Sequence, residues 1–185
     1  MTWIQVENFP TSHLDSSDKL PLLEIPVIVT SSRAEDTFAL GRRLALLLKA
    51  GSIVALRGPL GAGKTCLAKG IASGLGVKDE VISPTYTIVS EYEGAPENGK
   101  AITVFHIDAY RLSGNDDFTA IGGEEIIYGK GISIVEWYER IADFIPEEAL
   151  KVDIEIKDGN NRSIAVYRGE KTYAFKKFVT KPESA

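Results

Sequence analysis

Short apolar runs alternate along this chain with segments whose apolar residues recur every three or four positions. The first pattern is typical of buried strands, and the second is typical of helices that bury one face. The pattern predicts strands at Val27–Thr30, Ser52–Arg57, Thr87–Tyr92, Ala101–Ala109, Gly131–Trp137, Leu150–Lys157 and Ser163–Tyr167. A chain of 185 residues with this order of elements is expected to form one α/β domain.

The helices have recognisable starts and stops. Ser32-x-x-Glu35 is a capping box that opens a helix, which we expect to end at Gly51. A second helix follows a glycine-rich loop and is predicted to end at Gly76. Short helices are predicted within Ser113–Tyr128 and at Glu139–Phe144. Turn residues at Gly94–Lys100 and Asp158–Asn161 predict two β-hairpins, the second of them near the C-terminus.

The segment Gly58–Thr65 reads G-P-L-G-A-G-K-T, which fits the P-loop pattern G-x-x-x-x-G-K-[ST]. A buried strand precedes it and a helix follows it, which is the context that a P-loop requires. Glycine allows the backbone to come close to a phosphate chain and to point successive N–H groups at it. We therefore expect a nucleotide on the backbone of Gly58, Leu60, Gly61, Ala62, Gly63, Lys64 and Thr65.

The last two residues of the motif have their own chemistry. Lys64 is placed to reach the β- and γ-phosphates, and the Thr65 hydroxyl is placed to bind Mg²⁺. Because the chain lacks N-K-x-D and T-K-x-D, nothing indicates guanine recognition. We expect the cofactors to be ATP and Mg²⁺.

Two carboxylates end predicted strands and could complete the site. Asp108 ends V-F-H-I-D, and Glu136 ends I-S-I-V-E. Ligands of open α/β sheets lie beyond the carboxyl ends of the strands, so both acids could face the nucleotide. The less favoured alternative for each acid is a solvated residue or a helix cap. His106 shares a strand face with Asp108, and a lone histidine on a strand is more often packed than catalytic.

The segment Val81–Val89, V-I-S-P-T-Y-T-I-V, has two interpretations. P-loop proteins often keep a switch segment after the P-loop helix, where it senses the γ-phosphate. Alternatively, the segment is the start of a strand. Spacing alone does not separate these two interpretations.

The composition and net charge limit the kinds of partner that we expect this chain to bind. The net charge is −5, so the chain has no basic field with which to bind nucleic acid strongly by itself. No apolar run approaches the length of a membrane span, and the N-terminus does not resemble a secretion signal. We expect no membrane association and a cytoplasmic location. The single cysteine, Cys66, is expected to be a packing residue.

Three regions are expected along the chain. Residues 1–23 form an N-terminal extension, which is expected to be partly disordered or to lie across the domain surface. Residues 24–169 form a P-loop ATPase domain, and residues 170–185 form a C-terminal tail. A further strand is predicted at Thr172–Val179.

Five motifs in fixed order resemble the TsaE (YjeE) family, the bacterial P-loop ATPases of tRNA threonylcarbamoyladenosine synthesis. They are the P-loop, then S-P-T-Y-T-I-V-S-E-Y, H-I-D-A-Y-R-L, G-E-E and V-E-W, and the resemblance covers about Val27–Tyr167. The resemblance implies a three-layer P-loop NTPase-like fold with a mixed central sheet and a C-terminal β-hairpin. It also implies ATP hydrolysis that is slow alone and supports threonylcarbamoyl transfer by the partner proteins TsaD and TsaB.

The same resemblance implies roles for individual residues. Lys64, Asp108 and Glu136 are the catalytic candidates, and Thr65 and Glu136 are the Mg²⁺ ligands. Thr85 and Thr87 lie in the switch-like segment, and Trp137 flanks the site. Arg162 and Ser32 are weaker nucleotide-binding candidates, and they complete this set.

Two other functions remain compatible with the residues. A P-loop small-molecule kinase would use Asp108, Tyr110 and Arg111 to bind an acceptor, although the chain lacks an arginine-rich lid. A nucleotide-dependent binding module would use ATP only to set a conformation that a partner recognises.

Overall fold

A computed structural model of the protein describes residues 4–6, 25–95 and 100–169. Within these residues, eight strands form one mixed sheet in the order β1-β2-β8-β7-β3-β6-β5-β4. The strands are β1 (Ile4–Val6), β2 (Val27–Ser31), β3 (Ile53–Arg57), β4 (Val89–Gly94), β5 (Ile102–Asp108), β6 (Ile132–Glu136), β7 (Leu150–Ile156) and β8 (Arg162–Tyr167). Strands β7, β3, β6 and β5 run parallel, so their carboxyl ends meet at one edge.

Helices cover both faces of the sheet. They are α1 (Ala34–Ala45), α2 (Lys64–Gly74), α3 (Asn115–Ala120) and α4 (Gly123–Ile127), with a 3-10 segment at Tyr138–Phe144. In β3, Val54 and Leu56 pack with α1 and α2, whereas Ile53 and Ala55 pack with the other elements. A strand that is buried on both faces reads as a continuous apolar run, which is why β3 was visible in the sequence. The predicted three-layer α/β fold is confirmed.

The two predicted hairpins are present. Strands β4 and β5 are antiparallel, and residues 96–99 of their connection lie outside the described range. Strands β7 and β8 are antiparallel, and their turn is closed by the Lys157 N–H, which donates to the Asn161 carbonyl at 2.9 Å. Because these antiparallel pairs join a sheet whose central strands are parallel, the sheet is mixed and contains a C-terminal hairpin, as predicted.

The ends of the chain are described only in part. Ile4–Val6 pairs in parallel with Val27–Val29 and adds an edge strand to the sheet. The other residues of the expected extension, residues 170–185, and the strand predicted at Thr172–Val179 lie outside the described residues.

The predicted Ser32–Glu35 capping box is wrong by one residue. Arg33 is the N-cap of α1, and Asp36 accepts hydrogen bonds from the backbone N–H groups of Ser32 and Arg33, both at 3.1 Å. Strand β2 continues to Ser31, so the chain turns into the helix later than the sequence pattern predicts. Asp36 fulfils the role that was assigned to Glu35.

Two boundaries also differ from the prediction. Helix α1 ends at Ala45 rather than near Gly51, because the N–H groups of residues 46, 47 and 48 bond three residues back and tighten the last turn. Strand β4 begins at Val89 rather than Thr87, because Ile88 has a left-handed φ of 66° that interrupts the extended backbone.

The predicted end of the P-loop helix is confirmed. Gly76 has a φ of 78°, and its N–H donates to the Ser73 carbonyl at 3.1 Å. The Val77 N–H donates to the Ala72 carbonyl at 3.0 Å. These two bonds form the Schellman motif, which uses a left-handed glycine to satisfy the last helix carbonyls.

Candidate active site

The P-loop connects the carboxyl end of β3 to the first turn of α2. Gly58, Gly61 and Gly63 all have positive φ values. A Cβ atom on Gly58 would lie 2.6 Å from the Ile154 carbonyl oxygen, so a larger residue could not occupy that position without moving the backbone. The loop therefore curves tightly and ends at the N-terminus of α2. Unpaired N–H groups and the helix dipole at such a terminus favour an anion.

The other predicted backbone contacts have different environments along this loop. Leu60 is largely exposed at its tip, and Ala62 is fully buried. The Ala62 N–H donates to the Pro59 carbonyl at 3.2 Å. At Leu60 only the backbone belongs to the curve of the loop, because its side chain is exposed. Ala62 instead anchors the loop to the core.

Lys64 is the first residue of α2, and its side chain is 5% exposed. Its ammonium donates to the Gly58 carbonyl at 2.8 Å and to the Pro59 carbonyl at 3.0 Å. The nitrogen also lies 3.7 Å from the centroid of the Trp137 ring, a cation–π contact. Burial lowers the pKa of Lys64, and the nearby carboxylates, Glu136 first among them, oppose that shift.

Glu136 is the last residue of β6 and is 2% exposed. One carboxylate oxygen, Oε2, accepts a hydrogen bond from the Thr65 hydroxyl at 3.0 Å. The other oxygen, Oε1, lies 2.8 Å from Nε2 of His106. Glu136 therefore connects the P-loop helix to the neighbouring strand β5.

Asp108 is the residue directly beside Glu136 in the register of β5 and β6, and it is 3% exposed. Its Oδ2 accepts hydrogen bonds from the hydroxyls of Ser83 at 3.0 Å and Thr85 at 2.9 Å. Its Oδ1 accepts from the backbone N–H of Tyr110 at 3.0 Å. Asp108 thus anchors the segment Ser83–Ile88, whose end is also fixed by a bond from the Asp108 N–H to the Ile88 carbonyl at 2.8 Å.

The two threonines predicted in the switch-like segment have different surroundings. Thr85 reaches Asp108, whereas Thr87 is exposed. Between them, Tyr86 is 85% exposed, and its ring lies 4.3 Å from the guanidinium carbon of Arg111. The segment is therefore held at one side by Asp108 and open to solvent at the other.

Trp137 follows Glu136 with a left-handed backbone, at φ 59° and ψ 40°. Its N–H donates to the Leu56 carbonyl at 3.0 Å, and its ring centroid lies 5.0 Å from that of Tyr110. A bulky residue in this conformation is strained, and strained residues cluster at functional sites. The backbone turn directs the indole over Lys64.

Arg162 and Ser32 have contrasting positions. Arg162 opens β8, and its guanidinium donates to the Gly61 carbonyl at 3.4 Å and to the Asn160 carbonyl. The C-terminal hairpin therefore reaches the P-loop. Ser32 is exposed, and none of its contacts within the described residues joins it to the P-loop.

Sequence reasoning missed a partly buried ion pair at the end of β3, directly before the P-loop. Arg57, the last residue of β3, donates through Nε to Asp153 of β7 at 3.0 Å, and the Tyr167 hydroxyl donates to the same carboxylate at 3.0 Å. Burial raises the pKa of neighbouring Tyr138 to about 12. This cluster joins the strand that carries the P-loop to the hairpin that carries Arg162. Its partners lie far apart in sequence, so no local pattern could reveal it.

Thr37 and Ser83 were also missed. Thr37 is buried beside the P-loop, with its methyl group 3.7 Å from the position of a Cβ on Gly63 and its hydroxyl 2.7 Å from that of Ser31. Ser83 is part of the S-P-T motif, and the hydroxyl two residues before Thr85 was the available signal.

The site offers few metal ligands of its own. Among the described residues, no group of three or more His, Cys, Asp or Glu side chains could hold a metal ion. The Thr65 hydroxyl and the Glu136 carboxylate do supply two adjacent oxygens. This set fits Mg²⁺, which is usually bound by one or two protein oxygens together with waters and substrate phosphates.

Comparison of the sequence with known proteins identifies the family of this chain. The family model described as threonylcarbamoyl adenosine biosynthesis protein TsaE matches residues 31–164. The chain belongs to the TsaE family. The TsaE protein of Treponema pallidum is 41% identical over 136 residues, which cover 74% of this chain and 96% of that relative. The TsaE protein of Aquifex aeolicus is 43% identical over 138 residues, which cover 72% of this chain and 90% of that relative.

A solved structure supports the same assignment. The crystal structure of YdiB from Bacillus subtilis matches with a TM-score of 0.61 and 32% sequence identity. The match covers 77% of this chain and 84% of that chain. Within the range that the structure describes, no helix has the length and apolar character needed to span a membrane.

Proposed function

We propose that this chain binds ATP with Mg²⁺ and hydrolyses it in support of tRNA threonylcarbamoyladenosine biosynthesis. Family membership supports the pathway, because the TsaE relatives are named for it. The observation that carries the chemistry is the 3.0 Å contact between the P-loop hydroxyl of Thr65 and the buried carboxylate of Glu136. A P-loop hydroxyl beside a strand-end carboxylate is the pair that holds the metal in P-loop nucleoside triphosphatases.

The P-loop is proposed to bind the phosphates. Its backbone N–H groups and the α2 terminus attract negative charge. The Lys64 ammonium donates to the carbonyls of Gly58 and Pro59 at the start of the loop. In the nucleotide complex it would donate to phosphate oxygens and stabilise the charge that develops during hydrolysis. Burial strengthens that interaction, because the dielectric constant is lower than in water.

Thr65 and Glu136 would hold the metal. When bound, Mg²⁺ neutralises charge on the phosphates during in-line attack by water. Both protein oxygens belong to rigid elements, a helix and a central strand, so they are held in place before the nucleotide arrives.

Asp108 is proposed to couple the segment Ser83–Ile88 to the γ-phosphate end of the site. It lies beside Glu136 in the sheet and already binds two hydroxyls of that segment. Its position at the carboxyl end of β5 allows it to orient the attacking water. The same contacts allow the segment to respond to the state of the nucleotide.

The partners are proposed to be TsaD and TsaB, with slow turnover in their absence. The net charge of −5 agrees with a protein that does not bind tRNA strongly by itself. A cytoplasmic location is proposed with the pathway.

The experiment is phosphate release from ATP and Mg²⁺, measured with and without a TsaD–TsaB pair. Lys64→Ala is expected to lower release by about 100-fold, the usual cost of losing a charge-stabilising donor. Lys69→Ala removes an equal charge from the same helix and is expected to leave release unchanged. Transfer of phosphate to a metabolite would instead establish a kinase. Binding of ATP without hydrolysis under both conditions would establish a binding module.

A further inference from the structure

We propose that His106 is a positioning residue, which holds the Glu136 carboxylate in the orientation that binds Mg²⁺. This inference rests on the proposed function. The histidine acts through Glu136 and does not touch the nucleotide. Its Nε2 lies 2.8 Å from Oε1 of Glu136, and the other carboxylate oxygen accepts from Thr65.

The sheet places these groups next to each other. His106 is paired with Ile134 in the register of β5 and β6, so Glu136 is its diagonal neighbour on the same sheet face. His106 is 1% exposed and Glu136 is 2% exposed, so water does not compete for their contact. A buried hydrogen bond between side chains on two central strands restricts rotation of the carboxylate.

The chemistry of the pair determines which atom donates. An ionised carboxylate only accepts hydrogen bonds, so Nε2 of His106 must carry the hydrogen. Oε1 of Glu136 then faces the imidazole, and Oε2 faces Thr65. A turn of the carboxylate out of this plane would lose both hydrogen bonds. Outer contacts of this kind fix the orientation of metal ligands.

The remaining ring nitrogen argues against a role in packing alone. Within the described part of the chain, Nδ1 of His106 is buried and has no hydrogen-bond partner. An unpaired buried nitrogen is unfavourable, and an apolar side chain of similar size would fill the space without that cost. The Nε2 contact with Glu136 is therefore the feature that distinguishes histidine from leucine at this position.

Two other roles are excluded by the same geometry. Nε2 of His106 carries a hydrogen and donates it to Glu136, so this nitrogen cannot accept a proton from an attacking water molecule. Its Nε2 is occupied by Glu136, so this nitrogen does not bind the metal directly.

The test compares three substitutions with the wild-type chain. His106→Leu keeps the volume and removes the donor. His106→Gln places an amide N–H near the position of Nε2, whereas His106→Asn places it near Nδ1, out of reach of Glu136. Calorimetry with the non-hydrolysable analogue AMPPNP, with and without Mg²⁺, measures binding independently of hydrolysis.

We expect His106→Leu and His106→Asn to lower the Mg²⁺-dependent part of AMPPNP affinity by about 10-fold, as for other outer contacts to metal ligands. Affinity without Mg²⁺ should stay unchanged, and His106→Gln should restore most of the loss. The proposal is overturned if His106→Leu keeps the full Mg²⁺ effect, or if the glutamine and asparagine variants behave alike. A wild-type chain that binds AMPPNP with Mg²⁺ but never hydrolyses ATP would refute the proposed hydrolysis and leave this test valid.

Discussion

Glu136 and Asp108 are neighbours in the sheet, yet they belong to two different parts of the site. Both end central strands, both are almost fully buried, and their backbones are paired directly. Glu136 binds the hydroxyl of Thr65 in the P-loop helix and the imidazole of His106. Asp108 binds the hydroxyls of Ser83 and Thr85 and the N–H of Tyr110.

The two carboxylates therefore contact different kinds of structure: regular elements around Glu136 and a loop around Asp108. The partners of Glu136 lie on helix α2 and strand β5, two regular elements that contribute side chains to the core. The hydroxyl partners of Asp108 lie on a loop whose Tyr86 is exposed to solvent. Local opening costs least where few buried contacts hold the chain. This difference supports the proposed roles, in which Glu136 holds the metal and Asp108 links the site to the segment Ser83–Ile88.

Glu136→Gln should have the largest effect on activity. The amide keeps the size of the side chain but removes the negative charge that we propose binds Mg²⁺. We expect phosphate release to fall by about 100-fold or more, with Mg²⁺-free AMPPNP affinity unchanged. A phosphate-release assay measures the rate of hydrolysis, and calorimetry measures the affinity for AMPPNP. Wild-type release by this variant would contradict the proposed role of Glu136 as a metal ligand.

Asp108→Asn should loosen the segment Ser83–Ile88 more than it lowers Mg²⁺-dependent binding of AMPPNP. A hydrogen bond to a charged group contributes about 1.5–3 kcal/mol, compared with about 1 kcal/mol for a neutral pair. We therefore expect amide hydrogen exchange in residues 83–88 to become about 10-fold faster.

The proposed difference between the two carboxylates is wrong if Asp108→Asn and Glu136→Gln change amide hydrogen exchange in residues 83–88 equally. It also fails if Asp108→Asn loses the Mg²⁺-dependent part of AMPPNP affinity as strongly as Glu136→Gln. Hydrogen-exchange mass spectrometry and calorimetry on the same protein preparations allow that comparison.

Thr85→Val should produce the smallest effect. It removes one of the two hydroxyls that donate to Oδ2 of Asp108 and keeps the β-branched shape. A loss of about 1 kcal/mol in local stability corresponds to about 5-fold faster exchange of the segment. Thr87→Val, an identical change at an exposed position of the same segment, should leave exchange unchanged. Equal effects of the two substitutions would contradict the assigned hydrogen bond.

Local patterns predicted the features that depend on neighbouring residues. The P-loop, the flanking strand and the end of α2 at Gly76 follow from residues within a few positions of one another. The start of α1 was displaced because β2 extends to Ser31, and sheet pairing with β8 decides that extension. The start of β4 was displaced because Ile88 adopts a left-handed conformation, which its β-branched side chain disfavours and no local signal indicates.

The sequence by itself determined the fold class, the glycine-rich loop between β3 and α2, and the two strand-end carboxylates, because each depends on contiguous residues with a fixed period or spacing. The tertiary structure alone decided what each carboxylate touches. Thr65 and Glu136 are 71 residues apart, and Arg57 and Asp153 are 96 residues apart. Such contacts arise from strand order and register, which join distant segments at one sheet edge. For that reason the different contacts of Glu136 and Asp108 became visible only in three dimensions.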